Sequence, residues 1–100
     1  MSGEAKRYKL APRARGDLAE IWRYTFETWS RAQADAYYGD IITTLEALAS
    51  GRKRGKSIDN IRPGFLSCPC GSHWIVYRPI GTQFLIVRIL HQRMNLSRHL

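Results

Sequence analysis

The side chains best suited to chemistry are crowded into the second half of this 100-residue chain. After Asp59 there is no carboxylate, while Arg62, Arg78, Arg88, Arg93 and Arg98 and all three histidines, His73, His91 and His99, follow it. Residues 1–49 balance seven bases against seven acids, so the whole formal charge of +8 arises from residue 50 onward, where nine Lys or Arg face Asp59 alone. Such a field attracts phosphate or an acidic protein partner. It excludes paired-carboxylate hydrolysis and oxygen-rich Mg²⁺ or Ca²⁺ sites from this half, because both need Asp or Glu that it lacks. What acts here must act with cations, imidazoles or shape. Cys68, Cys70 and His73 raise the question of zinc, but Cys-Pro-Cys lacks the usual two-residue separation and no fourth ligand is evident, so no metal site is expected. The run Arg52-Lys53-Arg54-Gly55-Lys56 is either a solvated loop or a contact for a polyanion.

These groups need a scaffold, and one domain spanning residues 1–100 is long enough to bury a single core. With 44% apolar and 11% aromatic residues the chain has the composition of a soluble globular protein. No apolar run approaches the roughly 20 residues of a membrane span. Met1 to Lys9 is polar and basic without an apolar h-region, which makes the cytoplasm the expected location and Cys68 and Cys70 reduced thiols. Tyr8 to Ala11 is expected to be a short strand, ended by Pro12 in the first turn of a helix. Leu18, Ile21, Trp22, Thr25, Phe26 and Trp29 recur at three- and four-residue steps, giving an amphipathic helix of about 15 residues whose aromatic residues are expected in the core. Ser30-Arg-Ala-Gln33 fits a capping box that starts a second helix, with Ala34, Tyr38, Ile41, Leu45 and Leu48 as its apolar face and Gly51 as its stop.

Residues 51–64 read as an exposed basic loop, after which the period becomes two. Phe65–Cys70, His73–Arg78 and Phe84–His91 are expected to be three antiparallel strands, turning at Gly71-Ser72 and at Pro79-Ile-Gly-Thr82. The last is apolar on both faces apart from Arg88, as suits a central strand covered by helices on one side. The fold class is α+β: a strand, a two-helix hairpin and a three-stranded antiparallel meander completing one sheet.

The segment Tyr8-Lys-Leu-Ala-Pro-Arg-Ala-Arg-Gly-Asp-Leu-Ala-Glu-Ile-Trp-Arg-Tyr-Thr25, then Ile61-Arg-Pro-Gly64, Val76-Tyr-Arg78 and the tail His91-Gln-Arg-Met-Asn-Leu-Ser-Arg-His-Leu100 resemble the ParE toxins of the RelE/ParE superfamily. The likeness spans nearly the whole chain. It implies a small bacterial toxin of a type II toxin-antitoxin module, neutralised by a ParD-like antitoxin whose C-terminal segment folds onto it. ParE members poison DNA gyrase and block replication, whereas RelE members cleave messenger RNA on the ribosome.

Fold cannot choose between those actions. Cleavage at a 2′-hydroxyl needs a base, an acid for the leaving oxygen and cations for the phosphate. His91 could transfer one proton, and Arg62, Arg78 and Arg88 could hold phosphate while Lys53, Arg54 and Lys56 track an RNA backbone. RelE-type toxins commonly carry a tyrosine close to the C-terminus, and this chain has none after Tyr77. The resemblance therefore implies a gyrase poison acting by binding, with no catalytic residues assigned and no cofactor. The alternatives are an endoribonuclease and a basic module that binds nucleic acid directly. Arg88, His91, Arg93, Arg98 and His99 are expected to meet the target, and Arg52, Lys53, Arg54, Lys56, Arg62 and Arg78 the antitoxin or another polyanion. An acidic antitoxin segment suits the basic half by charge and by backbone pairing at a sheet edge.

Overall fold

The computed structural model describes residues 8–100, so the reading of residues 1–7 as a polar start without a leader lies outside them. Strand β1 (Tyr8–Leu10) leads into helix α1 (Pro12–Thr28), with Pro12 in the first turn where its missing N–H costs nothing. Ser30 caps helix α2 (Arg31–Ser50), its hydroxyl accepting from the Gln33 N–H at 3.0 Å, and Gly51 ends it. The sheet then builds up through β2 (Lys56–Ser57), β3 (Leu66–Cys70), β4 (His73–Ile80) and β5 (Gln83–His91), and the tail closes in a short helix α3 (Leu96–His99).

The sheet has five strands in the order β1-β5-β4-β3-β2. The meander runs antiparallel as its alternation required, and β1 joins parallel to β5 through Tyr8↔Phe84, Lys9↔Leu85 and Leu10↔Ile86. The parallel pair closes the order: each turn of the meander reverses direction, so β3 and β5 run with β1 while β2 and β4 run against it. Two boundaries differ from expectation. The basic segment 51–64 is not all loop: Lys56–Ser57 pairs with Leu66 and Ser67, and Ile58 is buried. Pro79 and Ile80 belong to β4 and leave only Gly81-Thr82 as the turn. Proline is tolerated there because β3 covers β4 only as far as Tyr77, so nothing on that side needs the N–H that Pro79 lacks.

Both helices lie on one face of the sheet. The core is Ala14 and Leu18 from α1, Ile41, Leu45 and Leu48 from α2, and Cys68, Cys70, Ile75, Tyr77, Ile86 and Ile89 from the strands. Ile86 and Ile89 are three residues apart, which strict alternation forbids. A bulge resolves this: Val76 faces Arg88 but Tyr77 faces Ile86, so Val87 is an extra residue on β5 and the alternation resets.

Candidate functional site

The β5 bulge decides where Arg88 goes. Leu10 is the last residue of β1 to pair, so β5 beyond Ile86 has a bare edge, and α1 runs beside it. Asp17 fills that edge. Its carboxylate accepts from Arg88 Nε at 2.8 Å and Arg88 Nη2 at 2.9 Å as a two-pronged pair, and from the Ile89 N–H at 2.9 Å. Both side chains are largely shielded from water, and the carboxylate pushes the Arg88 guanidinium above its ordinary range. The remaining prong, Arg88 Nη1, reaches the His99 carbonyl at 3.4 Å. Arg88 and His99 are thus brought together, but as a tether between α1, the sheet and the C-terminal tail. Arg93 and Arg98 stand exposed on that tail.

At the same end of the sheet His73 and His91 face each other across β4 and β5, their rings 5.2 Å apart and edge to face. Tyr37 of α2 comes down beside them. Its hydroxyl accepts from the Ser72 N–H at 2.9 Å and lies 3.0 Å from the Cys70 carbonyl and 2.7 Å from His73 Nδ1, so its single proton serves one of these two neighbours. Gly71 is required here, because a Cβ would fall 2.5 Å from the Tyr37 ring and the backbone has φ +56°. Burial, helped by neighbouring His91 and opposed by Asp17, lowers the His73 pKa to about 4, so the ring is neutral at pH 7. His91 Nδ1 accepts the Arg93 N–H at 3.1 Å, which leaves Nε2 to carry the proton in the neutral ring. Gln92 closes the corner by donating to the Gly71 and His73 carbonyls.

The basic loop lies at the far end of β4, roughly 17 Å away for five residues of strand. Tyr77, fully buried, passes its hydroxyl out of the core to accept the Gly55 N–H at 2.8 Å, and a Cβ on Gly55 would meet that oxygen at 2.5 Å and the Ser67 carbonyl at 2.8 Å. Burial raises the Tyr77 pKa and keeps the phenol neutral. Arg52, Lys53, Arg54 and Lys56 are exposed around this anchor. Arg62 and Arg78 each lie over the ring of Phe65, with guanidinium carbons 5.2 Å and 5.9 Å from the ring centre. Asp59 forms no ion pair with either of them among the described residues; its carboxylate accepts the Gly64 N–H at 2.8 Å and closes the turn.

The aromatic residues of α1 overturn an expectation. Read as core, Phe26 and Trp29 are 45% and 73% exposed, and Tyr38 of α2 is 41% exposed. Trp22 stacks on Phe26 at 5.2 Å and gives its indole N–H to Asp35. Asp17 and α1 reach β5 near its last residues, so the hairpin beyond that level has no sheet beneath it. The spacing of Trp22, Phe26 and Trp29 fixes a stripe but cannot say how far the sheet extends. The sequence signal also missed Asp17, Tyr37 and Phe65. Asp17 looked like an ordinary polar-face residue, and Tyr37 sat one position from the Tyr38 assigned inward.

Cys68 and Cys70 are free and buried, and burial raises the Cys68 pKa and keeps that thiol protonated. Among the described residues no group of three His, Cys, Asp or Glu is placed to hold a metal ion, and no helix is long and apolar enough to cross a membrane.

Both the sequence and the fold of this chain match a described class of protein. Residues 8–96 match the family of the ParE toxin of the type II toxin-antitoxin system, parDE. Toxin ParE1 of Caulobacter vibrioides is 39% identical, the alignment covering 95% of this chain and 98% of that protein. Toxin ParE1 of Mycobacterium tuberculosis is 37% identical over 96% and 99%. A chain of the chromosomal ParDE toxin-antitoxin system of P. aeruginosa superposes with a TM-score of 0.72 at 20% identity, covering 84% of this chain and 92% of that one, and shows the same fold. The chain belongs to the ParE toxins of type II toxin-antitoxin systems.

Proposed function

We propose that this toxin acts in the cytoplasm by binding DNA gyrase and trapping its cleaved-DNA state, and that a ParD-like antitoxin neutralises it. The observation that carries a binding action over a ribonuclease is the Asp17–Arg88 pair. Arg88, on the same strand as His91, already gives three of its five N–H groups, two to a carboxylate and one to a backbone carbonyl, so it is held in place by structure and not poised over a phosphate in flight. His73, neutral and bonded to Tyr37, is a weak base at pH 7. A poison needs no proton transfer, since stabilising a state made by another protein's chemistry is a population shift. The exposed tail with His91, Arg93 and Arg98 is the surface offered to the target, and Arg88 with His99 holds it in place.

The test is a supercoiling and cleavage assay with purified gyrase, ATP and plasmid. Inhibition that traps cleaved DNA and is reversed by excess antitoxin supports the proposal. Truncation after Gln92 keeps the corner at Gly71 and His73 and removes Arg93 and Arg98, and it is expected to abolish inhibition while circular dichroism retains the fold. An untouched gyrase at micromolar toxin would overturn it. One observation favours the ribonuclease as second reading: His73 stands edge to face with His91 and bonds Tyr37 in turn, a chain of groups for proton transfer that the tail lacks. Cleavage of ribosome-bound messenger RNA that disappears in His91→Ala is the outcome that would establish it.

A further inference from the structure

Charge and exposed aromatic surface are segregated in this molecule. The large apolar side chains exposed among the described residues are Tyr24, Phe26, Trp29 and Tyr38 in the helical hairpin, together with Ile80 and Met94. The basic half has no exposed aromatic side chain: Phe65, Trp74 and Phe84 are half-buried and Tyr77 is buried. A site for single-stranded nucleic acid interleaves cations with open aromatic faces on which bases stack. The helices carry open rings with four bases against six acids, a sign that repels phosphate. The basic half carries the cations without the platforms.

What the basic half does carry is a built pair of guanidiniums. Arg62 and Arg78, which come from the loop before β3 and from β4, both lie on the ring of Phe65. A guanidinium over an aromatic ring is attracted to the ring face without needing an acceptor for its N–H groups, which stay available to a partner. Neither is in any of the ion pairs found among the described residues, which are Arg23 with Glu20 and Glu27 and Arg88 with Asp17. The support is fixed rather than floppy. The Phe65 N–H donates to the Arg62 carbonyl at 3.2 Å and its carbonyl accepts from the Ile58 N–H at 2.9 Å, while Arg78 lies in a paired strand. We infer that Arg62, Phe65 and Arg78 form a receptor for the carboxylates of an acidic peptide segment, and that this segment belongs to the antitoxin. The inference rests on the antitoxin reading above and adds to it the place and chemistry of one contact. Two preorganised forks give bidentate geometry that matches carboxylates, and the neighbouring Lys53, Arg54 and Lys56 supply only a diffuse field.

The test uses the whole chain, a fluorescein-labelled decaglutamate peptide and a labelled dT10 oligonucleotide, read by anisotropy at 100 mM salt. Replacing both arginines (R62Q with R78Q) is expected to weaken peptide binding at least tenfold. K53Q with K56Q removes the same charge and is expected to weaken it less than threefold. F65L keeps an apolar residue but removes the ring, and a severalfold loss is expected, whereas R62K with R78K keeps the charge and fails to restore full binding. Equal losses in the two charge-matched doubles, or an F65L variant that binds as the parent does, would overturn the receptor. So would tighter binding of dT10 than of the peptide with the same dependence on Arg62 and Arg78, which would make the site one for nucleic acid. Melting temperatures matching the parent's show that a loss of binding in these variants is not a loss of fold. Growth rescue by co-expressed antitoxin separates the two readings: rescue of the parent and the R62Q/R78Q double alike removes the receptor and leaves the antitoxin, and absence of rescue removes the antitoxin alone.

Discussion

The helical hairpin and the strand half of this toxin solve opposite problems. In α1 and α2 half of the charged side chains are spent on each other and on structure, with Arg23 set between Glu20 and Glu27, Asp35 on the Trp22 indole and Asp17 on Arg88, while Phe26 and Trp29 are open to solvent. In residues 51–100 the aromatic rings are covered and the cations are free, apart from Arg88. The difference shows that a surface is defined by what its groups still have to satisfy. The hairpin has unsatisfied apolar area and the strand half unsatisfied charge, so the two are suited to different partners.

The largest effect should come from the Asp17–Arg88 ion pair, which joins the halves. Asp17→Ala leaves Arg88 buried without its partner and the Ile89 N–H unbonded, and a loss of about 3–5 kcal/mol is expected, lowering Tm by roughly 12 °C or more. A thermal melt checks it, and a loss below about 1 kcal/mol would show that the halves hold together without the pair. Gly55→Ala should come next. It forces an atom against the Tyr77 hydroxyl and the Ser67 carbonyl and is expected to cost about 1–3 kcal/mol, with decaglutamate affinity falling as the loop shifts. Parent-like melting would mean that the loop is not anchored through Tyr77.

The imidazole corner predicts a pH dependence with a definite sign. His73 titrates near pH 4 in the folded chain against about 6.5 unfolded, so the unfolded chain binds the extra proton between those values. Stability is full above pH 6.5 and declines as pH falls toward 4, by about 1–2 kcal/mol once water screening of a half-buried ring is allowed for. His73→Asn should flatten that part of the profile in urea titrations, and an unchanged slope would assign it elsewhere. The smallest effect is expected where the sequence promises a large one. Trp29→Ala should alter stability by less than about 0.5 kcal/mol, because a side chain open to water loses little on removal, whereas Ile41→Ala in the core should cost about 2–5 kcal/mol. A Trp29→Ala loss above about 1.5 kcal/mol in urea would show that the hairpin tip is packed after all.

Most elements were legible, although β2 was read as loop and α3 was not foreseen. Proline at 12, serine at 30 and glycine at 51 mark helix ends by local backbone chemistry, and the period-two runs give β3, β4 and β5 within one or two residues. The site was legible only in part. Arg62 and Arg78 were singled out for their charge, but nothing local indicated that Phe65 would hold both, since Arg78 comes from another strand thirteen residues further on. Arg88 was an oddity in an apolar strand, and its answer, Asp17, lies 71 residues away.

The sequence alone determined the class of fold, the sign and location of the charge, the absence of carboxylates after Asp59 and the family likeness, because composition, periodicity and capping are local properties of the chain. Tertiary structure decided which cations remain free, which histidine stays neutral and which aromatic rings face water. Those outcomes depend on where the sheet ends beneath the helices, on a one-residue bulge that resets β5 and on contacts between residues far apart in sequence. Satisfaction of a buried charge or ring is a property of its neighbours, and only the folded chain supplies them.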